Sequence, residues 1–182
     1  MQAEAHSIPK WVVMSAGTGG TSATIGRYIR YQKLDTKLMV VDPDHSVFLE
    51  YYQTGDASLK LDKGSRIEGI GRPRVEPSFI PGVVDDMRRI PDAASIATIH
   101  WLEKIIGRKT GPSTGTNLYG ALQLASDMAS RGETGSIVTL ICDSGERYLD
   151  TCYDLSYVKD CVGDISQWQN NLKQFDQTGI LH

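Results

Sequence analysis

Trp11-Val12-Val13-Met14-Ser15-Ala16-Gly17-Thr18-Gly19-Gly20-Thr21 carries a short apolar run into a turn with three glycines, and Ala23, Ile25, Tyr28 and Ile29 follow at helical spacing. A strand, a glycine turn and a helix in that order suit an oxyanion. Glycines remove the Cβ atoms that would hold an anion off the backbone, and the first N–H groups of the helix have no partner within it. Thr18 and Thr21 add hydroxyl donors. The turn therefore points to a phosphorylated cofactor, with a purely structural strand-to-helix turn as the alternative.

Outward from this stretch, Lys37-Leu38-Met39-Val40-Val41 reads as a second strand closing at Asp42-Pro43, and Val47 to Tyr52 as a helical segment ending near Gly55. Residues 53–81, rich in Gly, Pro, Ser, Lys and Asp, read as exposed loop around a functional turn, with one strand-like island at Arg66-Ile67-Glu68-Gly69-Ile70-Gly71. Pro91-Asp92 starts a helix that Gly107 terminates, and His100 on it reads as a helix-face histidine. Another helix opens between Ser113 and Asn117 and ends before Gly132. Ser136-Ile137-Val138-Thr139-Leu140-Ile141 is an unbroken β-rich run that reads as a strand buried on both faces. This alternation predicts an α/β fold, a parallel twisted sheet flanked by helices. Residues 1–155 form the predicted domain and 156–182 a C-terminal extension, in which Gln167 to Gln177 is polar enough to be loosely packed or frayed.

Composition narrows the partners. The chain has 182 residues, 40% of them hydrophobic and 23% charged, enough for one globular core. A net charge of -3, with dispersed basic residues, argues against nucleic acid or an anionic membrane surface. No apolar run reaches the roughly 18 residues of a membrane span, and the first residues lack the pattern of a signal peptide, so the cytoplasm is the expected location. Cys142, Cys152 and Cys161 show neither a disulfide framework nor zinc-ligand spacing, and no metal is expected.

Two phosphate ligands compete for the turn. Gly17-Thr18-Gly19 after a strand, with Asp42 closing the next one, imitates a dinucleotide fingerprint and its ribose-binding carboxylate. However, the third glycine of that pattern is Ser22 here, and Gly19-Gly20-Thr21 suits a pocket around a single phosphate monoester. Four segments then decide in favour of the monoester. Gly17-Thr18-Gly19-Gly20-Thr21 resembles the phosphate loop of the fold type II pyridoxal-phosphate enzymes of the cysteine synthase and cystathionine β-synthase family. Glu68-Gly69-Ile70-Gly71, Gly111-Pro112-Ser113-Thr114-Gly115 and Asp143-Ser144-Gly145-Glu146-Arg147-Tyr148-Leu149 resemble three further segments of that family, in its order. The loop Arg72 to Phe79, Ser113 to Asn117 and Cys142 to Gly145 are most similar to its L-cysteine desulfhydrase branch. Cys142 stands where the family usually has proline.

The resemblance implies pyridoxal 5'-phosphate as cofactor, with Gly17, Thr18, Gly19, Gly20 and Thr21 at its phosphate and Ser113 at its pyridine nitrogen. A helix N-cap is the alternative for Ser113. A hydroxyl there would leave the ring a weaker electron sink than a carboxylate would, which suits elimination or replacement at Cβ. Gly69 and Gly71 would line the substrate side, and Glu146 and Arg147 read as a structural ion pair or exposed charges. The implied activity is L-cysteine desulfhydrase, the β-elimination of sulfide to give pyruvate and ammonia. The alternatives are cysteine synthase, the β-replacement of activated serine by sulfide, and a non-catalytic phosphate-ligand or partner-binding module. The substrate would be a small amino acid, cysteine or activated serine.

Family members carry a Schiff-base lysine and a substrate-carboxylate loop upstream of the phosphate loop, and the chain resembles only their C-terminal half. Lys10, Lys33, Lys37, Lys60, Lys63, Lys104 and Lys109 match no catalytic segment, so the catalytic residue is unassigned and the half-length chain is expected to be inactive alone. Its expected partner is a second copy in a homodimer or a complementing N-terminal half.

Overall fold

The computed structural model describes residues 7–181. A parallel sheet in the order β3-β2-β1-β4 forms its centre, built from β1 (Trp11–Ser15), β2 (Lys37–Pro43), β3 (Asp86–Ile90) and β4 (Ile137–Thr139). Strand alternation sends successive side chains to opposite faces. Val13, Met39 and Val41 face α3 (Asp92–Ile106) and α4 (Pro112–Ser130), while Met14, Leu38 and Val40 join Ile29 of α1 (Gly20–Tyr31) and Phe48 of α2 (Phe48–Thr54). Both faces of the sheet are thus covered by helices, as the α/β expectation requires.

The helices end where their sequences say they should. Gly55 and Gly107 close α2 and α3 in the left-handed conformation, each returning its N–H to a carbonyl of the last turn. Four features differ from the sequence reading. Residues 66–71 form turns with no strand, because Gly69 and Gly71 both sit at positive φ, which breaks extended pairing. β3, unmarked in the sequence, has only Met87 and Ile90 buried, and its arginines find acids on the strand itself and on neighbouring elements. Arg88 pairs with Asp86 and Asp127, and Arg89 with Asp42 and Glu50.

β4 is the third difference. It spans three residues at an edge rather than six inside the sheet, and Val138, Leu140 and Ile141 are 39%, 39% and 49% exposed. Among the described residues no strand covers its outer side. Finally, residues 167–177 are neither frayed nor loose. After the short helix α5 (Leu155–Val162), they form most of α6 (Ser166–Thr178), whose Leu172 is fully buried in the core shared with α3 and α4. Trp168 meets Tyr119 edge-on and Phe175 meets Trp101, so three large side chains in a polar stretch suffice to dock the helix.

Candidate active site

At the end of β1 the chain turns through Ala16-Gly17-Thr18 and enters α1 from Gly19, whose φ of 91° lies in the left-handed region. Two contacts explain why glycine is needed here. A Cβ on Gly17 would lie 2.4 Å from the carbonyl oxygen of Gly69, and one on Gly19 2.4 Å from Cα of Phe79. The loop is therefore clamped by main chain from both following segments. Gly71 N–H donates to Ala16 O at 2.8 Å, and the Ser78 hydroxyl donates to Thr18 O at 2.7 Å. Ser22, at the position of the third dinucleotide glycine, turns its hydroxyl back to Gly19 O at 2.9 Å.

Residues 17–22 line a cleft of about 250 Å³ whose other walls include Met14, Ser15, Gly69, Ile70, Asn117, Leu140 and Cys142. None of the lining side chains carries a fixed charge. What it offers an anion is the main-chain N–H groups of a helix start and the positive end of the helix dipole. Gly20 is the open position, since a Cβ there would meet nothing nearer than Thr18 Oγ1 at 3.9 Å. Glycine where a side chain would collide, beside glycine where the space is empty, is a cradle shaped for a group that brings its own oxygens.

The residues singled out in the sequence fall into three groups. Gly17, Thr18, Gly19, Gly20 and Thr21 share the cleft with Gly69. Gly71 is one step behind, held to Ala16 O and packed against Pro43. Ser113 is buried inside the first turn of α4, past the N-cap Gly111, so the N-cap alternative falls. The α4 side chain in the cleft wall is Asn117, one turn further on. Asn117 and Cys142 carried no binding assignment from the sequence. Asn117 is fully buried, but α4 carries other polar residues, among them Gln123 and Asp127, so nothing in the sequence singled it out.

The segment after β4 braces the start of α4. Cys142 N–H donates to Thr114 Oγ1 at 3.0 Å, Gly111 N–H to Asp143 O at 2.9 Å, and the Tyr148 hydroxyl to Asp143 Oδ2 at 2.7 Å. Burial and the Asp143 carboxylate both push the Tyr148 hydroxyl up, so it stays protonated as a donor. Arg147 pairs with Glu68 across 3.5 Å, both well exposed, linking this segment to the Gly69 turn. Glu146 lies in the wall of an adjoining groove.

Other titratable groups lie away from the cleft. Asp42 is fully buried, accepts from Leu49 N–H at 3.0 Å and faces Arg89 at 3.3 Å, so it serves the β2–α2 connection and not a ribose. Burial pushes its carboxyl up to about 6. The Asp92 and Asp44 carboxylates each accept from the other's main-chain N–H, and burial, then the Asp44 charge, push Asp92 up to about 7. His100 meets Cys152 O at 2.8 Å, and burial lowers its pKa.

A charge-free, glycine-walled cleft at the carboxyl end of a parallel sheet defines a phosphate-cofactor protein of α/β type. The chain belongs to the pyridoxal-phosphate-dependent enzyme family, whose profile matches residues 2–143. It is 56% identical over 158 residues to L-cysteine desulfhydrase Cds1 of Mycobacterium tuberculosis, covering 87% of this chain and 43% of that protein. Cysteine synthase of Dictyostelium discoideum is 30% identical over 166 residues, covering 87% of this chain and 43% of that protein. Cysteine synthase 2 of Neurospora crassa is 31% identical over 150 residues, covering 75% and 32%. The chain thus spans less than half the length of these relatives. Among the described residues no helix is long and apolar enough to cross a membrane.

Proposed function

We propose that this chain is the cofactor-phosphate-binding half of an enzyme of cysteine metabolism, of L-cysteine desulfhydrase type, acting on a small amino acid. The observation that carries this is the cleft itself, walled by the main chain of residues 17–21 and clamped by the Gly69 turn. The 56% identity to a desulfhydrase favours cysteine breakdown over the synthase alternative. In this proposal residues 1–155 bind the cofactor and 156–182 are an extension, and the protein works in the cytoplasm.

When bound, pyridoxal phosphate supplies an electron sink for the breaking of a bond at the amino acid's Cα. Loop N–H groups and the Thr18 and Thr21 hydroxyls hold the phosphate. Ser113, buried one turn before Asn117 and outside the cleft lining, would in this proposal offer its hydroxyl to the ring nitrogen, an uncharged partner for it. Gly69, lacking a side chain, leaves the substrate face open, with Gly71 fixing its turn. Met14 and Ile70, both buried, give the cleft wall an apolar part. Among the lining residues Cys142 alone is titratable, so no side chain there has the basicity of a lysine to move a proton from Cα. We propose that the lysine comes from outside these 182 residues, on a complementing N-terminal half. The exposed apolar edge of β4 supports such a partner, or a second copy, because unpaired strand edges recruit strands.

The test is titration of the purified chain with pyridoxal phosphate, in competition with inorganic phosphate, together with a sulfide assay on cysteine. The expected result is weak, phosphate-competitive binding, no single lysine fixed to the cofactor by borohydride, and no sulfide. Binding that inorganic phosphate does not compete would overturn the cleft assignment. Sulfide release lost on replacing one lysine would show that the chain is complete.

A further inference from the structure

Cys142 is where the cleft meets a second cavity, an open groove of about 750 Å³ lined by Glu103, Arg108, Lys109, Glu146 and Leu149 among others. Of the three free thiols it is the exposed one. Cys161 is half-buried and engaged by the Tyr157 hydroxyl, and Cys152 is buried, with burial pushing its thiol up and so leaving it less nucleophilic. Asn117, fully buried, donates from Nδ2 to Leu140 O at 3.3 Å and to Cys142 Sγ at 3.4 Å. A carbonyl oxygen can only accept, which fixes the orientation of this amide. Asn117 Oδ1 is left buried and without a partner among the described residues. An orphan acceptor of this kind is destabilising until a donor reaches it. The exposed thiol and the orphan amide oxygen thus sit in one wall, between a phosphate cleft and a groove that offers both signs of charge.

We propose that Cys142 is a thiolation site for small amino-acid disulfides of the cystine class. The deprotonated Cys142 sulfur attacks one sulfur of the disulfide. The new Cys142 disulfide forms as the old S–S bond breaks, and one cysteine leaves as a thiolate that takes up the proton Cys142 gave. The thiol is oxidised, the reagent reduced, and nothing else is consumed. The attached half-cystine is a zwitterion. Arg108 suits its carboxylate, while Glu146 and the Asn117 amide oxygen suit its ammonium group, Glu103 being already paired with Lys109. Because the adduct forms at the wall shared with the cleft, thiolation disturbs the Asn117 contact and lowers affinity for a phosphate ligand by about fivefold, the equivalent of one hydrogen bond.

Only this last consequence rests on the proposed cofactor cleft. The full chain is incubated with cystine and the adducts are mapped by mass spectrometry, in parallel with cystamine, the same disulfide without carboxylates. The expected outcome is modification of Cys142 ahead of Cys152 and Cys161, faster by cystine than by cystamine, a preference that Arg108→Ala abolishes. Cys161 reacting as fast, or cystine and cystamine reacting alike, would overturn the site. Pyridoxal-phosphate titration of the modified and unmodified chain then separates the two proposals. Selective thiolation with no cofactor binding in either form defeats the cofactor cleft alone, and unchanged affinity after thiolation defeats the coupling through Asn117. Cys142→Ser should resist cystine, with Cys152 and Cys161 showing the same slow reaction as in the unchanged chain, and fast modification persisting in that variant would overturn the site.

Discussion

The two ends of the β1 neighbourhood contrast sharply. On the α1 side, the glycine loop is held in place, with Gly69 carbonyl against Gly17, Phe79 against Gly19, and two hydrogen bonds locking the main chain. On the β4 side, an apolar strand lies at the rim with Val138, Leu140 and Ile141 partly in solvent. Among the described residues the first region is covered and the second lies open. Anion binding needs only a loop and a helix start, both encoded within a few residues of each other. In the proposed reaction, proton transfer at Cα needs a base that no cleft-lining side chain supplies, and the exposed β4 edge is the face we propose for the partner that brings it.

The largest effect is expected at Gly20, because it divides space from sterics inside the covered region. Gly20→Asp places a carboxylate in the anion site without a main-chain collision, and should weaken pyridoxal phosphate or inorganic phosphate binding about 100-fold, as two charge-assisted hydrogen bonds are lost to repulsion. Calorimetric titration reads this, with an unchanged circular dichroism spectrum. Gly19→Asp makes the contrast, since its side chain meets the Phe79 main chain and its φ is left-handed, so that variant should lose its fold along with the site.

The edge comes next. Sedimentation should show the chain self-associating at micromolar concentration, and Val138→Lys should shift it towards monomer. A compact monomer in the unmodified chain would mean that the exposed edge recruits nothing.

A smaller effect is expected at Asp92, which belongs to neither region. Its folded-state pKa of about 7 stands above the unfolded value of about 4. The stability it contributes is therefore fully present below pH 4 and lost as pH rises through 7. Asp92→Asn keeps an acceptor for Asp44 N–H and should raise stability at pH 8 by about 2 kcal/mol, with little change at pH 4. Asp42, pushed up to about 6, leaves a residual slope of the same sign in that variant. Urea unfolding between pH 4 and 8 measures both. The smallest effect belongs to the Arg147–Glu68 pair. With both side chains about two-thirds exposed, Arg147→Ala should change stability by less than about 0.5 kcal/mol in the same assay.

Much of the architecture was legible in residues alone. The strand–turn–helix at 11–31, the helix ends at Gly55 and Gly107 and the start of α4 all follow from patterns a few residues wide. β3 was not legible, because Asp86-Met87-Arg88-Arg89-Ile90 reads as polar until Asp42, Glu50 and Asp127 arrive from distant elements to pair its arginines. α6 was not legible either, since its polar composition conceals three anchors, Trp168, Leu172 and Phe175. β4 misled in the opposite direction. An apolar run reports that a strand is meant to be covered, and cannot report whether the cover lies in the same chain.

Amino-acid order sufficed for whatever depends on neighbours in sequence. Backbone freedom at glycine, apolar periodicity and helix capping set the phosphate loop, the parallel α/β pattern and the family to which the chain belongs. Three-dimensional packing was needed wherever two distant main chains had to meet. It selected Gly69 as the lid on Gly17, set Phe79 beneath Gly19, put Asn117 and Cys142 in the cleft wall and sent Asp42 into the core. The reason is physical. Local preferences act over one or two turns, whereas the approach of segments 50 or more residues apart is settled by which contacts survive together when the core closes.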